Sequence, residues 1–298
     1  MNIRIFNFGS LNIDYVYQID HIVKPGETTS SHKMQTFPGG KGLNQSIALA
    51  RAGANVWHAG CIGAKDGAFL VELLKGNGVN VSNIYETEYP TGNAIIQVDR
   101  NGQNSIIIYS GANGALQREH IDDVLGKASP NDILLLQNEV SNISYLIKKG
   151  LSLGLQIAFN PSPFEPYLLK LPLERLSYLF VNMIEAAGIT GSPEDDLEKL
   201  VVTLEKRFPR TAVILTRGSQ GAEFLFEGMR IHQDIFTTDV IDTTAAGDTF
   251  TGFFLSAVAN GQDAAVALRI ASKASSITVS RMGASTSIPY LKECTVGY

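Results

Sequence analysis

The segment Asp242-Thr-Thr-Ala-Ala-Gly-Asp-Thr-Phe250 sets an aspartate, Asp248, behind a run of small residues and directly ahead of a helical pattern. Phe250, Phe253, Phe254, Ala257 and Val258 recur at helical spacing and predict a buried helix. The first N–H groups of a helix have no partner within it, and with the helix dipole they form an anion site. Ala246, Gly247 and Asp248 would offer those donors to a phosphoryl group with no bulky side chain in the way. Asp248 itself has two readings. It can cap the helix, a common use of aspartate. Or it can act as a general base that orients a hydroxyl and takes its proton late in a loose phosphoryl transfer.

A second cluster, Pro38-Gly-Gly-Lys-Gly-Leu-Asn44, precedes another predicted helix. It is not a Walker A loop, which would need glycine where Gln35 stands and Ser or Thr where Gly42 stands. The dinucleotide fingerprint also fails, because Gly9-Ser-Leu-Asn12 lacks the later glycines, which weakens an NAD-dependent oxidoreductase. What remains is a backbone that a ligand can approach closely, flanked by Lys41 and Asn44. A hydroxyl-rich small molecule suits it; so does a plain helix-entry turn.

The elements that must position these clusters alternate between short apolar runs and helical stretches. Strands are expected at Ile3–Phe8, Asn55–Gly60, Asp132–Gln137, Ile157–Asn160, Tyr178–Asn182 and Ala212–Thr216. Helices are expected at Gly42–Gly53, Gly67–Gly76 and Ser144–Gly154. Buried runs flanked by helices point to a sheet covered on both faces. Ile13–Ile19, Ser31–Phe37, Asn93–Val98 and Ser105–Tyr109 are more polar and alternating, and Asn101-Gly102 is a hairpin signal. They read as a small second sheet. The Ala- and Ser-rich Ile270–Arg281 reads as a helix packed closely on a neighbour or passing beside a ligand.

The 298 residues are 44% hydrophobic and 18% charged, ordinary for a folded globular protein, and the net charge is −5. That balance favours neither nucleic acid nor an anionic membrane as a partner. No signal-peptide pattern or bilayer-length apolar run is present, so a cytoplasmic protein is expected. Cys61 and Cys294 read as buried thiols, and the five histidines show no metal spacing.

Taken together, these residues resemble the ribokinase family of carbohydrate and nucleoside kinases over almost the whole chain. Gly39-Gly40 and Asp242–Asp248 carry its two signatures. The resemblance implies an α/β fold: a doubly wound, mostly parallel sheet with helices on both faces and a small β-sheet lid. It implies a single domain over 1–298, with lid strands inserted from about 13–37 and 93–109, and a homodimer formed through the lid. It also implies ATP-dependent phosphorylation of D-ribose at the 5-hydroxyl. A same-fold kinase for 2-deoxyribose, a ketohexose or a nucleoside is the alternative, and a non-catalytic sugar sensor a further one.

By the same resemblance, Asp248 is the base and the amides of Ala245, Ala246 and Gly247 form the anion hole. Asn12, Asp14, Gly40, Lys41, Asn44 and Glu139 bind the sugar. Asn182, Thr216, Gly218 and Gly221 bind the nucleotide, and Glu185 organises Mg2+ indirectly. Asp242, Thr244, Thr278, Arg281, Gly283 and Ser287 fall where the family holds K+, several through carbonyls. Oxygen donors suit such a hard cation. The chain departs from the family pattern at Val181, Met183-Ile184 and Ala186-Ala187, around the magnesium motif.

Overall fold

The computed structural model describes residues 3–294. The chain opens with strand β1 (Arg4–Phe8), β2 (Asn12–Gln18) and β3 (Lys33–Gly39), then helix α1 (Lys41–Arg51). There follow β4 (Asn55–Gly63), α2 (Ala68–Gly76), β5 (Asn80–Thr87), β6 (Gly92–Val98), β7 (Asn104–Tyr109) and α3 (Arg118–Leu125). The middle holds β8 (Ile133–Gln137), α4 (Ile143–Ser152), β9 (Gln156–Asn160), β10 (Tyr178–Asn182), α5 (Met183–Thr190) and α6 (Leu197–Arg207). The last third adds β11 (Ala212–Thr216), β12 (Ala222–Phe226), β13 (Met229–Gln233), α7 (Ala246–Ala259), α8 (Ala264–Val279) and α9 (Leu291–Cys294).

Nine strands form one sheet in the order β13-β12-β11-β10-β9-β8-β1-β4-β5. From β11 to β5 every neighbouring pair is parallel. The period-2 alternation of each strand feeds two cores. Phe6, Phe8, Leu134 and Leu136 face α3–α6, whereas Ile5, Ile133 and Leu135 face α1, α2, α7 and α8. The antiparallel β12 and β13 extend one edge, and the sequence reading did not anticipate them. Their runs Ala222–Phe226 and Met229–Gln233 are short and carry charged residues, so the apolar signal that marked the inner strands is weak there.

The second sheet has the order β3-β2-β6-β7, with β2 and β6 parallel and the other pairs antiparallel. Its β6–β7 hairpin turns at the expected site: the Asp99 amide donates to Gln103 O at 2.9 Å and Gly102 takes a positive φ. Among the described residues, no helix is long and apolar enough to cross a membrane. The domain limits expected at 1 and 298 lie outside the described residues.

Two close approaches place the chemistry. A Cβ on Gly42 would lie 2.3 Å from the Ser10 nitrogen and 2.4 Å from Gly9, so β1's exit and α1's first turn fit only without side chains. A Cβ on Gly252 would lie 2.5 Å from that of Ala48, so α7 packs tightly across α1. The chain leaves β1 towards β4 and β5 on one side, and β8 begins the other side. That is a topological switch point, where an open α/β sheet forms a crevice at its strand ends.

Candidate active site

The strand ends deliver most of the expected residues to this crevice. Asn12 begins β2 just past β1, Glu139 follows β8, Asn182 ends β10 and Thr216 ends β11. Asp248 is the third residue of α7, and the N-cap is Ala245, in a left-handed conformation with no side chain able to cap. Capping is not what the Asp248 carboxylate does. Its Oδ2 accepts from Asn44 Nδ2 at 3.0 Å and its Oδ1 from Gln45 Nε2 at 2.9 Å, both on α1.

The amides at this helix start differ from one another. Among the described residues, those of Ala245, Gly247 and Asp248 have no acceptor, whereas that of Ala246 donates to Thr243 O at a long 3.3 Å. A cavity of about 190 Å3 opens in front of them, walled by Lys41, Asn182, Glu185, Ala245, Gly247 and Asp248. An adjoining cavity of about 480 Å3 shares Asn182, Thr216, Thr243, Ala246 and Gly247. Gly218 and Gly221 line its rim, Ile235, Phe236 and Val240 make it apolar, and Ser272, Ser275 and Ser276 project from α8. Its mixture of small, apolar and hydroxyl groups suits a nucleoside.

On the other side, Asn12 and Glu139 line a cavity of about 430 Å3. Glu139 Oε2 accepts from the Lys41 amide at 3.0 Å and from the Ser10 hydroxyl, and its Oε1 stands 3.8 Å from Lys41 Nζ. Asn12 Oδ1 accepts from Asn113 Nδ2 at 2.7 Å. Burial pushes the Asp14 carboxyl up to about 6, helped by repulsion from Glu139 and opposed by Lys41. Lys41 is the hub of this charge cluster. Burial works to lower its pKa, but Asp248, Glu139, Glu185 and Asp14 outweigh it and raise it. Four carboxylates therefore share one ammonium, leaving a surplus of negative charge.

Asn182 and Glu185 have a structural use of their own. The Glu185 amide donates to Asn182 Oδ1 at 2.8 Å and the Asn182 amide to Glu185 Oε2 at 3.0 Å, a capping box at the start of α5. Burial raises the Glu185 pKa, against the Asn182 amide, Ser162 and Lys41. The donor set of the cavity, two carboxylates and an amide oxygen, fits a hard Mg2+ ion that keeps water and phosphate as its other ligands.

The six residues expected around K+ divide in two. Asp242 ties the turn before α7 to the loop after α8. Its Oδ1 accepts from the Thr244 amide and hydroxyl at 2.9 and 2.6 Å, and its Oδ2 from the Gly283 amide at 2.9 Å. Burial pushes its pKa up, but these hydrogen bonds prevail and hold it below the usual range. The side chains of the others are engaged elsewhere: Thr278 with Thr249, Arg281 with Glu293, and Ser287 with Ala284 O. A cation here would meet Thr278 and Arg281 through their main chain.

The sequence reading missed Ser10, Gln45, Asn113 and Gln137, which are buried polar groups behind the expected residues. Gln45 directly follows Asn44, and Gln137 ends an otherwise apolar Ile-Leu-Leu-Leu strand, so a lone polar residue at a strand end was the available signal.

The sequence matches the model of the pfkB family carbohydrate kinases over residues 2–291. The chain belongs to the pfkB family. It is 35% identical to a ribokinase of Schizosaccharomyces pombe, with 98% of this chain and 96% of that one aligned. The ribokinase of Cryptococcus neoformans var. grubii serotype A, solved in complex with ADP, superposes with a TM-score of 0.86 at 34% identity, covering 98% of each chain. That of Arabidopsis thaliana, complexed with ribose and ATP, gives 0.86 at 30% identity over 99% of this chain and 98% of the other. The pfkB membership agrees with the α/β architecture and the small sheet described above.

Proposed function

We propose that this protein transfers the γ-phosphoryl group of ATP to the 5-hydroxyl of D-ribose, giving ribose 5-phosphate and ADP. One observation carries the chemistry. The Asp248 carboxylate, held by Asn44 and Gln45, shares a cavity wall with the free amides of Ala245 and Gly247. A nucleoside-sized cavity adjoins that wall, and Asn12 and Glu139 line another. The ribokinase names and the ribose, ATP and ADP complexes of the relatives support ribose and ATP as the pair.

In this reading Asn12, Asp14, Gly40, Lys41, Asn44 and Glu139 hold the sugar hydroxyls, and their polar, charged character suits a free sugar. The 5-oxygen attacks the γ-phosphorus in line, the bond to the β–γ bridging oxygen breaks, and the proton passes to Asp248. The amides at the start of α7 take the charge of the transferring group without reorganising. When bound, Mg2+ would neutralise phosphate charge, oriented through water by Asn182 and Glu185. A K+ ion between the Asp242 turn and the loop at Gly283 would fix the helix start that carries the anion hole. Equal rates in sodium-only and potassium buffers would count against it.

We also propose that two copies pair through the small sheet. Met34, Phe37, Ile95, Ile106, Ile107 and Ile108 are exposed there, an apolar area uncommon on a monomer.

The deciding experiment is a panel of acceptors (ribose, 2-deoxyribose, ketohexoses, nucleosides) in a coupled ADP-release assay. Ribose is expected to give the highest kcat/KM. A preference for a nucleoside by orders of magnitude would overturn the ribose reading.

A further inference from the structure

The buried polar side chains behind Asp248 form one connected set whose hydrogen-bond directions are fixed from both ends. Asn7 gives away both amide protons, to Gly42 O and Ser46 Oγ at 2.8 Å each, so its Oδ1 must accept. The donor is Gln137 Nε2 at 2.9 Å, and the other proton of that nitrogen goes to Gln45 Oε1 at 2.7 Å. With its oxygen occupied, Gln45 turns Nε2 to Asp248 Oδ1 at 2.9 Å and to Asn160 Oδ1 at 3.2 Å. Asn160 is fixed as acceptor in turn, because its Nδ2 donates to Phe180 O. At the far end burial pushes His58 down to about 4, and the neutral ring can accept from Ser46 at Nδ1, 2.8 Å away. Flipping any one of these four amides would set oxygen against oxygen or nitrogen against nitrogen.

The arrangement leaves a cost in view. Gln137 Oε1 is buried with no partner, although Gln137 ends a strand whose other residues are Ile and Leu. An unpaired buried acceptor destabilises the fold; leucine would remove it but would leave Asn7 Oδ1 and Gln45 Oε1 without their donor. What glutamine supplies and leucine cannot is a pair of donors from one nitrogen, at the switch point, reaching both β1 and α1. An amide nitrogen has a further property that a serine hydroxyl, a neutral histidine or water lacks. It can only donate, so its direction towards the carboxylate cannot reverse.

Resting on the proposed function, we infer that Gln137, acting through Gln45, is a positioning residue for Asp248. The pair fixes the orientation of the base carboxylate as the acceptor hydroxyl approaches. Asn44 completes the hold on Oδ2.

The test reads kcat, ribose KM, the pH profile and the melting temperature of three variants. Gln137→Leu is expected to lower kcat on the order of ten- to a hundredfold, the weight of one hydrogen bond to a charged group, with ribose KM near wild type. Gln137→Glu keeps the volume but donates only when protonated, so its kcat should fall with rising pH where the wild type does not. Gln45→Glu places the same titrating group against Asp248, should fall in the same way, and covers the case in which residue 137 variants fail to fold. Variants that lose only melting temperature while keeping wild-type kcat and pH profile would overturn the inference. So would a loss confined to ribose KM. Asp248→Asn in the same assay separates the two claims. A wild type that ignores ribose sinks the functional reading, whereas an active wild type and dead Asp248→Asn beside unaffected Gln137 and Gln45 variants sink only this one.

Discussion

Asp14 is held between two demands. Its folded pKa of about 6 lies above the ordinary 3.8, so the stability it contributes is full at low pH and declines as pH rises through that interval. At neutral pH the fold therefore carries a charged, half-buried carboxylate at a cost. Asp14→Asn should raise the melting temperature at neutral pH while weakening ribose binding, because a carboxylate accepts more hydroxyl protons than an amide. In the wild type, ribose KM should rise as pH falls through about 6 and be level above it, and that inflection should vanish in Asp14→Asn. Equal KM across the range would remove Asp14 from the sugar site. Asp248→Asn is expected to cut kcat at least about a hundredfold, as loss of a general base does, with ribose binding measured by calorimetry largely kept. Asp248 was legible because small residues, a carboxylate and a helical pattern coincide in one segment. Gln45 and Gln137 were not. Their role depends on what Asn7 and Asn160 do with their own protons, across separations of 130 and 115 residues, and spacing along the chain does not encode that.

The start of α7 is an element whose stability and use oppose each other. A Cβ on Gly247 would meet nothing within 4 Å, yet Gly247 walls both the 190 Å3 and the 480 Å3 cavities, the proposed phosphoryl and nucleotide sites. Gly247→Ala should therefore leave the fold intact or stabilise it by up to ~1 kcal/mol, since alanine suits a helix better. Its methyl would stand where the phosphoryl group must pass, and kcat/KM for ATP should fall at least about tenfold. Gly42→Ala is the opposite case. Its methyl would meet backbone at 2.3 Å, so a loss of roughly 1–3 kcal/mol in stability is expected, with α1 displaced along with Lys41, Asn44 and Gln45. Denaturant melts of both variants would check the contrast. The α1 boundaries were readable within a residue or two, and so was the start of α7, because apolar periodicity reports burial directly. The spacing Asn182-x-x-Glu185 suggests a nucleotide and magnesium pair, and the same spacing also encodes a capping box. The box does not preclude the proposed cation role, since it leaves Glu185 walling the 190 Å3 cavity.

For the molecule as a whole, the parallel sheet was legible from its continuous apolar strands and the small sheet from its alternation and Asn101-Gly102. The edge strands β12 and β13 lay below that signal. If the small sheet pairs two subunits, Ile107→Arg should shift the molar mass by light scattering from dimer to monomer at micromolar concentration. A wild-type monomer would refute the pairing.

The cavity between Asp248 and the start of α7 has one more consequence, which concerns waste. At about 190 Å3 it has room for roughly six waters at ~30 Å3 each. As the proposed base, Asp248 can take a proton from water as well as from a sugar hydroxyl. With nucleotide bound and no sugar present, slow ribose-independent release of ADP is therefore expected, and Asp248→Asn should abolish it. In a cell, the sugar would then serve as substrate and also as the stopper that keeps ATP from draining into solvent.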